Sequence, residues 1–192
     1  MKEIKNLEDL FYHELQVLWS AEAMLTEAMP RMIEKAKNEG LRNMLRLHLA
    51  ETDQHKVALE AICKMLEIDP QGDFNPGIKG ILEEGEKVMA KDATDEGMDA
   101  ALIAGAQKIE HYEIASYGTL TAFARTLGLE DAAELLEETL EEEKEADQLL
   151  TTVAESSINV QAAEEDGEEE EEDDEDGDTA TATRSKTSRG RN

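Results

Sequence analysis

Four stretches of this chain each carry an apolar stripe with the alternating three- and four-residue steps of a helical seam, and each stripe is broken by acids or histidines. The first reads Leu7, Phe11, Leu15, Leu18, Glu22, Leu25, Met29, Met32. The second reads Leu41, Leu45, His48, Thr52, His55, Leu59, Ile62, Leu66, with Glu51 beside it. The third reads Leu102, Ala106, Ile109, Glu113, Ser116, Leu120, Phe123, Leu127, with Glu110 beside it. The fourth reads Leu129, Ala133, Leu136, Leu140, Glu143, Asp147, Leu150, Ala154. This spacing keeps one face of a helix turned to a common core. An ionised side chain on that face needs a partner, because an unpaired buried carboxylate costs more than a fold of this size can spare.

Turn signals fix the connections. Gly40 reads as the stop between the first two helices and Gly128 as the stop between the last two. Pro30, inside the first stripe, is expected to kink or weaken a turn. The segment Asp69 to Gly77 (DPQGDFNPG) holds two prolines and two glycines and breaks the chain. A shorter amphipathic stretch from Ile78 to Lys91 follows it. The reading is all-α: two helical hairpins joined by a long crossover containing a short helix, forming a four-helix bundle over residues 1–160.

From Glu164 to Asp178, 13 of 15 residues are acidic. Such a segment cannot bury enough apolar surface to offset its ordering entropy, so residues 161–192 are expected to form a disordered acidic tail with a basic end. The net charge of −28 argues against contact with nucleic-acid phosphates or an anionic membrane. No apolar run has the length of a membrane span or the form of a signal peptide. The single cysteine, Cys63, excludes an intrachain disulfide and reads as a small core residue. A cytoplasmic setting is the expectation.

The polar interruptions are the candidate site. Glu51 follows Glu22 by 29 residues and Glu143 follows Glu113 by 30, so the two hairpins repeat one pattern. Each has a second polar group four positions on: His55 after Glu51, and Asp147 after Glu143. Lysine and arginine are nearly absent from the middle of the stripes. Acids from several helices meeting in one core repel one another unless a cation lies between them. The candidate metal ligands are therefore Glu22, Glu51, His55, Glu110, Glu113, Glu143 and Asp147. His48 is either a further ligand or a satisfied core histidine. Carboxylates with a few imidazoles suit iron, with manganese as the alternative. Bundles that hold two irons use single glutamates on two helices and Glu-x-x-His on the other two. This chain departs from that scheme: its spacing is four, Asp147 stands where a histidine would, and Glu110 is additional. Tyr117 is a candidate to hydrogen-bond a ligand or to fill the core. His13 and His111 lie off the stripes, and the methionines and Trp19 read as packing.

The strings NLEDLFYHELQVLWSAEAMLTEAMPRM and HLAETDQH in the first half, and EHYEIASYGTL and ETLEEEK in the second, closely resemble the YciE/YciF family of ferritin-like stress proteins. The resemblance spans roughly residues 3 to 158. It implies a ferritin-like bundle, a homodimer, a dinuclear metal centre and a link to stress. By motif it carries the metal role to Glu22, Glu51, Glu110, Glu113, Glu143 and Asp147, whereas the family usually has glutamine where His55 stands. Three functions are compatible with these features. One is a non-haem di-iron protein that oxidises iron(II) with oxygen or peroxide. The others are a dimanganese catalase-like enzyme and a non-catalytic stress or interaction scaffold.

Overall fold

The structure, a computed structural model, describes residues 3–164. The acidic run and basic end expected to be disordered fall, from residue 165 onward, outside the described residues. Five helices follow in order: α1 (Leu7–Lys35), α2 (Glu39–Met65), α3 (Pro76–Met89), α4 (Asp95–Leu127) and α5 (Glu130–Val153). A single π-helical turn, Ala154–Ile158, continues α5, and helix resumes over residues 159–164. Helix therefore continues a few residues past position 160, mostly exposed.

α1 packs against α2 and α4, and α5 packs against α4 and α2, so the four long helices form a ring. Met32, Ala36, Leu41, Leu45, Met98 and Leu150 cluster at one end. The end of α1 and the start of α4 thus lie together, and the crossover after α2 travels the length of the bundle. This is the ferritin-like arrangement. α3 lies on the outside of α1 and α4. Asn75 pins the crossover: its side chain caps Ile78 N at 3.0 Å, donates to Val17 O at 3.1 Å, and accepts from the Tyr112 hydroxyl at 3.1 Å.

Most helix ends obey local chemistry. Asn6 caps α1 through Asp9 N, Thr94 caps α4 through Gly97 N, and Gly128 ends α4 with φ 72°, a left-handed conformation glycine adopts without strain. Gly40 is a correction. It is not a stop but lies inside the first turn of α2, and α1 already ends at Lys35. Tertiary contacts close this turn instead. Asp99 of α4 accepts from Lys37 N at 2.7 Å and Asn38 N at 2.6 Å, Asn38 caps Leu41 N, and Arg42 donates to Ala36 O. α1 runs through Pro30, which only removes one backbone donor from the last turns.

The apolar core is split. One cluster centres on Phe11, Leu15, Leu59, Ile62, Leu120 and Leu136; the other on Met32, Leu41, Leu45, Leu102, Ile103 and Leu150. Between them lies a band of buried polar side chains.

Candidate metal centre

Each long helix delivers part of that band at the point where its apolar stripe breaks. α1 supplies Glu22, α2 supplies His48 and His55, α4 supplies Glu110 and Glu113, and α5 supplies Glu143; all six are buried. The two histidines are seven residues apart, two helical turns, and so face the same way. Their rings meet edge to face with centroids 6.5 Å apart.

Two overlapping donor groups result. In one, His48, Glu110, Glu113 and Glu143 each offer an atom within 4.8 Å of the others. In the second, Glu22, His55 and Glu143 do the same. Glu143 belongs to both. His48 Nε2 lies 3.2 Å from Glu110 Oε1 and 3.8 Å from Glu143 Oε2, while His55 Nδ1 lies 3.0 Å from Glu143 Oε1 and 3.9 Å from Glu22 Oε1. Among the described residues, no lysine or arginine pairs with any of these acids.

The acids of the cluster are crowded together and short of hydrogen-bond partners. Glu22 Oε2, Glu110 Oε2 and both carboxylate oxygens of Glu113 and Glu143 are buried without a hydrogen-bond partner. Burial, with the Glu143 charge beside it, pushes Glu22 up to about 8. Burial likewise raises Glu110, to about 7, although the neighbouring His48 pulls the other way. Glu113 is pushed well above the usual carboxylate range by burial and by the charges of Glu143, Glu22 and Glu110. Burial alone would lower His55, but the close approach of Glu143 and the surrounding acids raise it to about 9. The metal-free cluster is therefore held together by retained protons, which a metal ion would displace. Once they give up these protons, the carboxylate oxygens and imidazole nitrogens of the two groups could hold a metal ion.

The candidate residues divide by place. Glu22, His55, Glu110, Glu113 and Glu143 converge. Glu51 is half-buried on the outer side of α2, where its Oε2 lies 3.5 Å from His48 Nδ1. Asp147 is also half-buried; its Oδ1 lies 3.0 Å from the exposed His111, and the neighbouring Ala146 takes the buried position. His48, which the sequence left between two roles, stands inside the cluster. Tyr117 rather than Ser116 occupies the buried face of α4, and its hydroxyl donates to Glu22 Oε1. Glu142, hidden in the acidic outer face of α5, accepts or shares a hydrogen with His55 Nε2 at 2.8 Å. Nothing in its sequence context marks it, because it is one acid in a run of them. Asp99 is hidden for a similar reason, its partners lying on a turn about sixty residues away.

An apolar cavity of about 290 Å³ lies between α1, α3 and α4. Met32 and Ile109 line it and also line a much smaller cavity bordered by His48 and Glu110, so these two side chains form the wall between the cavity and the cluster.

A family profile described as "Domain of unknown function (DUF892)" matches residues 6–163. Protein YciF of Escherichia coli (strain K12) is 41% identical over 163 residues, covering 83% of this chain and 96% of that protein. The crystal structure of the E. coli stress protein YciF aligns with a TM-score of 0.78 and 40% identity over 81% of this chain and 99% of that one. The structure of YcfI from Rhodopseudomonas palustris aligns with a TM-score of 0.76 and 40% identity, covering 79% and 96%. A Xanthomonas campestris protein, at 23% identity and a TM-score of 0.65 over 84% and 98%, shares the fold.

Proposed function

The chain belongs to the DUF892 family, and from that premise we propose that it is a non-haem dinuclear metal protein of the stress response, with iron as its metal. The observation that carries the proposal is the pair of overlapping donor groups that share Glu143, in a core whose acids, among the described residues, pair with no lysine or arginine. The stress link rests on the likeness to E. coli YciF, which is described as a stress protein.

His48, Glu110, Glu113 and Glu143 would hold one ion, and Glu22, His55 and Glu143 the other. When bound, an iron pair supplies two electrons, which with two protons reduce one peroxide to two waters or one dioxygen to peroxide. The protein's own part is to exclude water, to present negative charge that favours the oxidised metal, and to orient the ligands. Tyr117 does the last for Glu22 by hydrogen bonding one oxygen and leaving the other free. The largely apolar cavity behind Met32 and Ile109 offers a small uncharged oxidant an approach to the cluster. No described helix is long and apolar enough to cross a membrane. The homodimer implied by the family resemblance is part of this reading, and light scattering checks it.

The test is metal analysis of protein purified without chelators, followed by anaerobic iron(II) titration and addition of oxygen or peroxide. Two ions per chain and oxidation in proportion to bound iron are expected; a protein that takes up no iron or manganese would overturn the proposal. Oxygen release from peroxide by manganese-loaded protein, exceeding that of iron-loaded protein, would favour the dimanganese reading. The description of YcfI suggests a structural role; metal uptake with no turnover of either oxidant would favour that reading.

A further inference from the structure

His55 sits in the core with both ring nitrogens spoken for in opposite directions. Nδ1 points inward, 3.0 Å from Glu143 Oε1 and 3.9 Å from Glu22 Oε1, and has no hydrogen-bond partner of good geometry. Nε2 points outward, 2.8 Å from Glu142 Oε2. The His55 side chain is only 2% exposed, whereas that of Glu142 is 46% exposed. The Tyr117 ring packs edge-on against the imidazole at 6.2 Å and the His48 ring at 6.5 Å, so its tilt is confined on two sides.

An ionised carboxylate can only accept a hydrogen bond. Glu142 therefore selects the form of His55 that carries its hydrogen on Nε2. A neutral imidazole of that form presents its lone pair on Nδ1, which is the nitrogen aimed at the buried acids. We infer that Glu142 is a positioning residue: it holds His55 by the outward nitrogen so that Nδ1 is the one offered to the metal. A carboxylate behind a metal-binding histidine fixes its tautomer and raises its basicity, and losing such a partner typically weakens metal binding by about 10- to 100-fold. The inference rests on the metal-centre reading above.

The link is more than a surface ion pair because one end is buried, where solvent does not screen it. It also spans α2 and α5, so a purely architectural role has to be separated from the chemical one. The probes are cobalt(II), whose affinity is read by competition with a chelator, and zinc(II), with nitrogen-15-labelled histidine followed by NMR. Zinc-loaded wild type is expected to show His55 metal-bound at Nδ1 and protonated at Nε2. Glu142→Ala is expected to lose about 10- to 100-fold in cobalt affinity. Glu142→Gln, which keeps an acceptor oxygen, should recover most of the loss. Glu138→Ala, which removes an exposed acid one turn away, should match wild type.

A wild type that binds zinc through His55 Nε2 would overturn the inference, as would a Glu142→Ala protein that binds cobalt as tightly as wild type. If wild type binds neither probe nor iron nor manganese, the metal reading and this inference fall together. If it binds them and the alanine variant is unchanged, only this inference falls.

Discussion

The hydroxyl of Tyr117 on α4 donates a hydrogen bond to Oε1 of Glu22 on α1, joining two residues 95 positions apart inside the core. Both side chains are almost wholly buried, so neither has water as an alternative partner. Tyr117→Phe removes this hydrogen bond and leaves the buried Glu22 Oε1 without a partner among the described residues. The expected cost is about 1–3 kcal/mol of stability, read from the denaturant midpoint, with weaker binding at the second metal position. An unchanged midpoint would show that the bond contributes nothing net.

Glu113 should behave in the opposite way. Its two oxygens have no hydrogen-bond partner among the described residues, and Glu143, Glu22 and Glu110 crowd it with like charge. Glu113→Leu replaces a poorly tolerated group by an apolar one of similar size. Metal-free protein should gain about 1–3 kcal/mol while metal stoichiometry falls. Thermal melts with and without metal would show the trade: the variant melts higher when empty and gains less on loading.

The retained protons set a pH dependence with a definite sign. Glu22, ordinarily near 4.5, is raised to about 8; Glu110 is raised from 4.5 to about 7, and His55 from 6.5 to about 9. In each case the folded chain still holds a proton that the unfolded chain has released. Stability is therefore present below the unfolded values and is lost as pH rises through the folded ones. Between about pH 6 and about pH 9 surface carboxylates are already ionised, so the core dominates the slope. Each net proton held contributes about 1.4 kcal/mol per pH unit. Metal-free protein should lose stability steadily across that range in denaturant titrations. Metal affinity should rise over the same range, because binding releases those protons. A flat metal-free profile would contradict the cluster's charge state.

Asp99 tests the architecture apart from the metal. Its carboxylate accepts from Lys37 N and Asn38 N at 2.7 and 2.6 Å. Asp99→Ala leaves both backbone donors of the α1–α2 turn without it and should cost about 2–4 kcal/mol by denaturant titration, since hydrogen bonds to charged groups are the stronger kind. Metal stoichiometry should be unchanged, because the metal donor groups do not include Asp99.

The approach of the oxidant can be obstructed without touching a ligand. Gly105 lines the apolar cavity, and a Cβ there would meet open space. Gly105→Leu should fill part of the cavity and slow oxidation of bound iron(II) in stopped-flow measurements. Stability should hold or rise slightly, since glycine is a poor helix former by about 1 kcal/mol. Equal rates in the variant would show that the oxidant enters elsewhere.

Helix number, order and facing were legible in the chain because the three-four spacing of apolar residues leaves a helix one face to bury. The same periodicity already placed His48 and His55 on that face and Glu51 beside it. The repeat spacing of the two hairpins drew Glu51 into the candidate set, and the structure sets it on the outer flank of α2, next to His48. On α5, the four-residue step to Asp147 competed with a three-residue step to Ala146. Packing chose the alanine, and Asp147 pairs with His111 at the rim.

What the sequence determined by itself was which faces are apolar and where each is broken by charge, since both are local properties of side-chain type and helical period. Only the tertiary structure decided which charges meet. The Tyr117–Glu22, Asp99–Lys37 and Glu142–His55 contacts each join different helices or turns, and their geometry depends on how four helices rotate and slide to fill the core. A shift of one residue along a helix turns a side chain by about 100°, so a buried ligand and a solvated acid can be neighbours in sequence, as Glu143 and Glu142 are.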